Sequence, residues 1–108
     1  MRDVLQLSVA AVAQAESRKA PVLPEELVSF RSPWSYEADQ YRTLRHRIET
    51  GRAPGDVKVI AVTSPAAGEG KTVTALNLAG AFAQSPHTRV LVIDGDFRRP
   101  AIARYLRL

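Results

Sequence analysis

The 108 residues predict an α/β fold, a parallel-sheet βαβ unit preceded by a helical N-terminal segment, on three observations. Residues 57–63 (VKVIAVT) and 89–94 (RVLVID) are short, β-branched and nearly all apolar, the pattern of strands covered on both faces. Between them, residues 71–84 set Val73, Leu76, Leu78, Ala79 and Phe82 along a helical repeat. Turns rich in small or polar residues, 64–70 and 85–88, separate the three segments. Strand, helix and strand at this spacing form a right-handed crossover with parallel strands.

Taken in order, residues 1–31 read as an N-terminal helix and a proline-containing linker. Val4, Leu5, Val9 and Val12 stand at helical spacing within 1–17. Pro21, Pro24 and Pro33 each remove a backbone donor and bias the preceding residue away from helix. Residues 32–56 hold a second helix, from Trp34 or Ser35 to Thr50, and a short linker. Ser35 can cap it, Glu37 suits its positive end and Gly51 can stop it. Its buried stripe is expected to be Tyr41, Leu44 and Ile48. Residues 57–108 carry the βαβ unit, and Pro100 is placed to open a last helix.

Composition narrows the class. Apolar residues at 45% and charged residues at 24% describe a globular chain and exclude disorder throughout. With no cysteine, disulfides and thiolate metal sites are excluded. The apolar run Leu5–Ala15 is broken by Gln6, Ser8 and Gln14. It falls short of the roughly 18 residues of a membrane span and reads as a short amphipathic helix rather than a signal peptide. Residues 1–56 hold eight Lys/Arg against eight Asp/Glu, and residues 57–108 hold seven against three, so the whole +4 lies in the second half. A polyanionic ligand suits that distribution, as does a solvated basic face.

The stretch TSPAAGEGKTVTALNLA, from Thr63 to Ala79, ends its turn in Gly70-Lys71-Thr72, directly after a predicted strand and before a predicted helix. This is the context of a phosphate-binding P-loop. Gly68 and Gly70 let the backbone curl, so that amides of Ala67, Gly68, Glu69, Gly70, Lys71, Thr72 and Val73 turn towards one phosphate at the positive helix end. Lys71 is expected to reach the β- and γ-phosphates of ATP, and Thr72 to offer its hydroxyl to Mg²⁺. The pattern G-x-x-x-x-G-K-[ST] places a glycine where this chain has Pro65.

Downstream, LVIDGDFRRP (Leu91 to Pro100) places Asp94 and Asp96 at the carboxyl end of the second strand, the edge where parallel sheets bind ligands. Two acids there can hold Mg²⁺ or accept a proton from an attacking hydroxyl. Alone, Asp-Gly-Asp reads equally as a turn.

The two motifs together resemble the bacterial tyrosine kinases (BY-kinases) of capsule and exopolysaccharide assembly, P-loop NTPases with Walker A and Walker A′ motifs. The resemblance covers residues 32–108, including Arg98-Arg99-Pro100. It implies phosphate and magnesium binding by Lys71 and Thr72, metal or base roles for Asp94 and Asp96, and a site-organising role for Arg98. The family's E-x-x-R-x-x-R segment, tied to ring-like self-association, is matched by Asp39, Arg42 and Arg45, with the shorter acid in the first place. An ordinary solvated helical face fits those three residues too. The resemblance further implies an ATP-dependent autokinase regulating polysaccharide polymerisation and export. It would be cytoplasmic and held at the inner face of the membrane by a separate activator of the polysaccharide co-polymerase type, with no nucleic-acid partner expected.

Only the first βαβ portion of such a domain is expected here, since the Walker B strand and the tyrosine-rich tail do not occur before Leu108. The chain is accordingly expected to be the N-terminal part of a kinase, binding ATP weakly and without turnover. Tyr36, Tyr41 and Tyr105 are expected to pack rather than to be phosphorylated. Two other readings stand beside this one. A partition or division-site ATPase switch carries a second lysine five residues before the P-loop lysine, where this chain has Ala66. A non-catalytic fragment would modulate a full-length kinase through the 35–50 helix.

Overall fold

The computed structural model describes residues 22–53, 58–65, 68 and 70–108, together with the backbone of residues 4–7. Its elements in chain order are β1 (Val4–Leu7), α1 (Val28–Arg31), α2 (Tyr36–Thr50), α3 (Lys71–Ala83), β2 (Val90–Ile93) and α4 (Ile102–Tyr105). Helix α3 is the hub, touching α1, α2 and β2. At 3.6 residues per turn, Asn77, Gly80 and Ala81 fall on one side of α3, and Ala75, Leu78 and Phe82 on the other. Leu27, Leu76, Ala79, Val92, Ile102 and Leu106 make the buried core, with Leu23, Phe30, Val90 and Tyr105 packed around it.

Helix α3 begins at Lys71 as the apolar repeat predicts and ends at Ala83, one residue early. Ser35 caps α2, its hydroxyl accepting from the Ala38 amide at 3.1 Å, and Gly51 follows the last turn. The buried stripe of α2 differs from expectation. It runs through Ala38, Tyr41, Arg45 and Ile48, while Leu44 is exposed. Arg45 takes the inner place because its apolar stem can pack while its head finds an acceptor.

The N-terminal segment is corrected at residues 4–7, which form a strand and not a helix; the rest of 1–17 lies outside the described residues. β1 pairs antiparallel with β2, Val4 opposite Ile93 and Leu7 opposite Val90. A short apolar run is ambiguous between strand and helix by periodicity, and the open edge of β2 decides it.

The expected parallel sheet is corrected too. Among the described residues the sheet has two strands, β1 and β2, and residues 58–63 have no ladder partner. Val57 lies outside the described residues. A strand exists only by its inter-strand hydrogen bonds, and β2 makes its own with β1. Residues 60–62 instead line a cavity of about 900 Å³, with Leu78 and Phe82 of α3 and Leu91 and Ile93 of β2 on its other walls. The last helix starts at Ile102, two residues after Pro100.

Candidate functional site

The turn entering α3 is built on two glycines. Gly68 has φ 81° and Gly70 φ 78°, both in the left-handed region that L side chains rarely adopt. Among the described residues nothing lies within 4 Å of where a Cβ would stand on either, so the positive φ of the turn is what requires glycine. Gly70 is the N-cap of α3, and its own lack of a side chain leaves that end without a capping acceptor from the N-cap residue. The first-turn amides, with no partner inside the helix, leave a concentrated positive end there.

Lys71, Thr72 and Val73 are half-buried in that first turn. Ala66, Ala67 and Glu69 lie outside the described residues, so the expected amide contributions of Ala67 and Glu69 have no described geometry. From the end of β2, the loop 94–99 returns to α3, and Lys71 Nζ meets Asp96 Oδ2 at 3.4 Å. The other oxygen of Asp96 accepts from the Arg99 amide at 3.0 Å. That backbone hydrogen bond holds the Asp96 carboxyl below the ordinary carboxylate range; partial desolvation opposes the effect and the Lys71 ammonium adds to it.

Asp94 sits differently. It is buried, its Oδ1 accepts from the Asp96 amide at 3.0 Å, and its Oδ2 accepts from the amides of Ala101 at 3.0 Å and Ile102 at 3.2 Å. These bonds fold the 95–100 loop and cap α4, whose own N-cap residue, Ala101, offers no side-chain acceptor. The two acids of one motif thus divide: Asp94 builds the loop, and Asp96 faces the lysine. Arg98 is exposed on the bend 97–99.

The structure brings Lys71 and Asp96 together and places Thr72 beside Lys71. Among the described residues no three His, Cys, Asp or Glu side chains gather as a cation cage. Magnesium does not need one, since it is commonly held by one or two protein oxygens together with substrate phosphates. Thr72 and Asp96 suit such a role, and the left-handed glycines ahead of an uncapped helix suit a phosphate.

The residues expected to mediate interaction are tied up within the chain. Asp39 Oδ1 pairs with Arg42 Nη2 at 3.3 Å, Arg42 Nη1 donates to the Pro33 carbonyl, and its guanidinium lies 5.9 Å from the Trp34 ring. Arg45 Nη1 donates to the Ala81 carbonyl of α3 at 2.6 Å. Tyr41 and Tyr105 are half-buried as expected, but Tyr36 is 76% exposed beside Trp34 at 91%. Its place in the first turn of α2 points it away from α3.

Sequence reasoning passed over one buried polar group. Asn77 is fully buried; its Oδ1 accepts from the Ser29 amide at 3.0 Å, its Nδ2 donates to the Glu26 carbonyl at 2.8 Å, and its own carbonyl accepts from Ser29 Oγ at 2.8 Å. Gln84 Nε2 adds a bond to the Ser29 carbonyl at 3.0 Å. The available signal was an asparagine between two leucines in an otherwise apolar helix.

Residues 60–106 match the family model described as the CobQ/CobB/MinD/ParA nucleotide-binding domain. The chain is similar to tyrosine-protein kinase YwqD of Bacillus subtilis (strain 168), 39% identical over 80 residues, covering 74% of this chain and 33% of that protein. It is similar to tyrosine-protein kinase CpsD of Streptococcus pneumoniae, 43% identical over 51 residues, covering 47% and 22%. With the CpsD of Streptococcus pneumoniae serotype 4 (strain ATCC BAA-334 / TIGR4) the identity is 52% over 42 residues, covering 39% and 18%. The chain spans a third or less of the length of these relatives. No solved structure matches it.

Proposed function

From the similarity to bacterial tyrosine-protein kinases and the geometry at the head of α3, we propose that the chain belongs with that family and contributes the phosphate-binding half of an ATP-dependent tyrosine kinase site. The observation that carries this reading is the approach of Lys71 and Asp96 at the head of α3, directly behind the left-handed Gly68 and Gly70. The lysine and helix amides suit a γ-phosphate, and the acid beside them suits the Mg²⁺ that accompanies it.

In this reading the first-turn amides and Lys71 bind the β- and γ-phosphates and orient the terminal phosphoryl group for in-line transfer. Thr72 and Asp96 would hold Mg²⁺, which would supply charge neutralisation on the phosphate oxygens. Asp96 rather than Asp94 is the acid open to metal or to a substrate hydroxyl, since Asp94 is committed to three backbone amides. Arg98, exposed on the same loop, organises the incoming substrate.

In this reading the biological setting is the regulation of exopolysaccharide or capsule polymerisation and export, with a membrane activator of the co-polymerase type as partner. Among the described residues no helix is long and apolar enough to cross a membrane; the proposed place at the inner face rests on that partner. Self-association would use the exposed Asp39 edge of α2.

Calorimetric titration with Mg·ATP tests the site. The native chain is expected to show binding that weakens at least tenfold in Lys71→Ala and clearly in Asp96→Ala, as for loss of charge-assisted contacts of about 1.5–3 kcal/mol. Equal titrations for native chain and Lys71→Ala would remove the reading.

A further inference from the structure

Helix α3 carries no basic residue in its own last turn. Its final carbonyls nonetheless need donors, and a cation there favours the helix dipole. Gln84 and Ser85 amides serve Gly80 and Phe82. The Ala81 carbonyl is served from another element, by Arg45 Nη1 of α2 at 2.6 Å. The half-buried Arg45 reaches into the seam between the two helices: its Nη1 meets the Ala81 carbonyl, and its Nε is buried with no hydrogen-bond partner among the described residues. A buried guanidinium nitrogen without a partner is costly, so the position is held by what the rest of the head gains.

We infer that Arg45 is a positioning residue of the phosphate site. It supplies α3 with the C-terminal cation that α3 lacks, at the end opposite Lys71 and Thr72, and fixes the helix against α2. The Asp39, Arg42 and Arg45 pattern therefore divides. Arg42 binds the Pro33 carbonyl and Asp39 within its own turn region, whereas Arg45 reaches 36 residues along the chain to the phosphate-binding helix. Helix α2 and the nucleotide loop are linked through one rigid helix. The inference deepens the proposed function and rests on the 68–72 turn being a phosphate site.

The test uses the full chain and three variants: Arg45→Met keeps the apolar stem without the donor, Arg45→Lys restores a donor and a charge, and Arg42→Ala is a comparator on the same helix. Mg·ATP affinity is measured by calorimetry, and amide hydrogen exchange is followed at residues 72–76 and 80–85. Arg45→Met is expected to weaken Mg·ATP binding about threefold to tenfold, the size of losing one net hydrogen bond that seats α3 against α2. It should also speed exchange at both ends of α3. Arg45→Lys should recover most of both, and Arg42→Ala should show neither.

Unchanged affinity together with unchanged exchange at 72–76 in a folded Arg45→Met would overturn the inference. So would loss of self-association in Arg45→Met with both of those readouts intact. If Lys71→Ala also leaves titration unchanged, the phosphate reading fails on its own account, and exchange at the two ends of α3 still decides whether Arg45 holds the helix. Should Arg45→Met not fold, Arg45→Gln, with its shorter donor, is read against Arg45→Lys in the same way.

Discussion

On the side of α3 that carries Asn77, Gly80 and Ala81, neighbours approach closely and Asn77 and the Ala81 carbonyl find partners, with Arg45 Nε the buried exception among the described residues; on the side that carries Ala75, Leu78 and Phe82, a cavity of about 900 Å³ opens, lined by Leu91 and Ile93 and also by Lys58, His87 and Arg89. At Gly80 an added Cβ would stand 2.9 Å from Ser29 Cβ and 3.1 Å from the Phe30 ring. Across the helix Leu78 and Phe82 are buried, yet Leu91 and Ile93 of β2 are 57% and 61% exposed. The contrast teaches that the helix bearing the phosphate turn is oriented mainly by the 23–50 region and only loosely by the sheet.

Substitutions can break or sharpen that contrast. Leu76→Ala, which empties a fully buried place against Leu27, is expected to cost about 2–5 kcal/mol in urea unfolding. Asn77→Ala leaves the Ser29 amide and the Glu26 carbonyl without their partner, for about 2–3 kcal/mol. Asn77→Leu, measured alongside, should be no better, since it fills volume but pairs nothing. Gly80→Ala sets the helix-propensity gain of about 1 kcal/mol against a clash with Ser29 and Phe30. A net loss of about 1 kcal/mol is expected, and a stabilised variant would show that α1 can move away.

Asp96 makes a smaller contribution whose sign is fixed. Its carboxyl titrates lower in the folded chain than its ordinary 3.8, so the stabilisation is present above that value and is lost as pH falls through the lower folded one. The stability difference between native chain and Asp96→Asn should therefore shrink on going from about pH 5 to about pH 2. Least of all, Leu91→Ser, on the loosely packed side, is expected to change stability by less than about 0.5 kcal/mol. A cost like that of Leu76→Ala would show the two sides of α3 to be alike after all.

The sequence made the local parts readable where each residue's preference agreed with its neighbours. Ser35 and Gly51 bracket α2, the apolar repeat marks α3, and Gly68 and Gly70 announce a turn needing positive φ. What periodicity could not carry was partner choice. Residues 58–63 and 4–7 are both apolar, and only the edge of β2 selects residues 4–7 for pairing. Within the site, spacing placed Asp94 and Asp96 together but could not show that the amides of Ala101 and Ile102 would claim Asp94. Arg45 was legible as one of a charged trio, and its reach to Ala81 depends on how α2 and α3 pack.

The Asp94 carboxylate ties three things with two oxygens: the end of β2, the backbone of Asp96 and the start of α4. It acts as a rivet. A force or a bound neighbour that shifted residues 101–108 would be passed through it to Asp96, and so to the ammonium group of Lys71. One run of hydrogen bonds thus joins the start of α4, through Asp94 and Asp96, to Lys71.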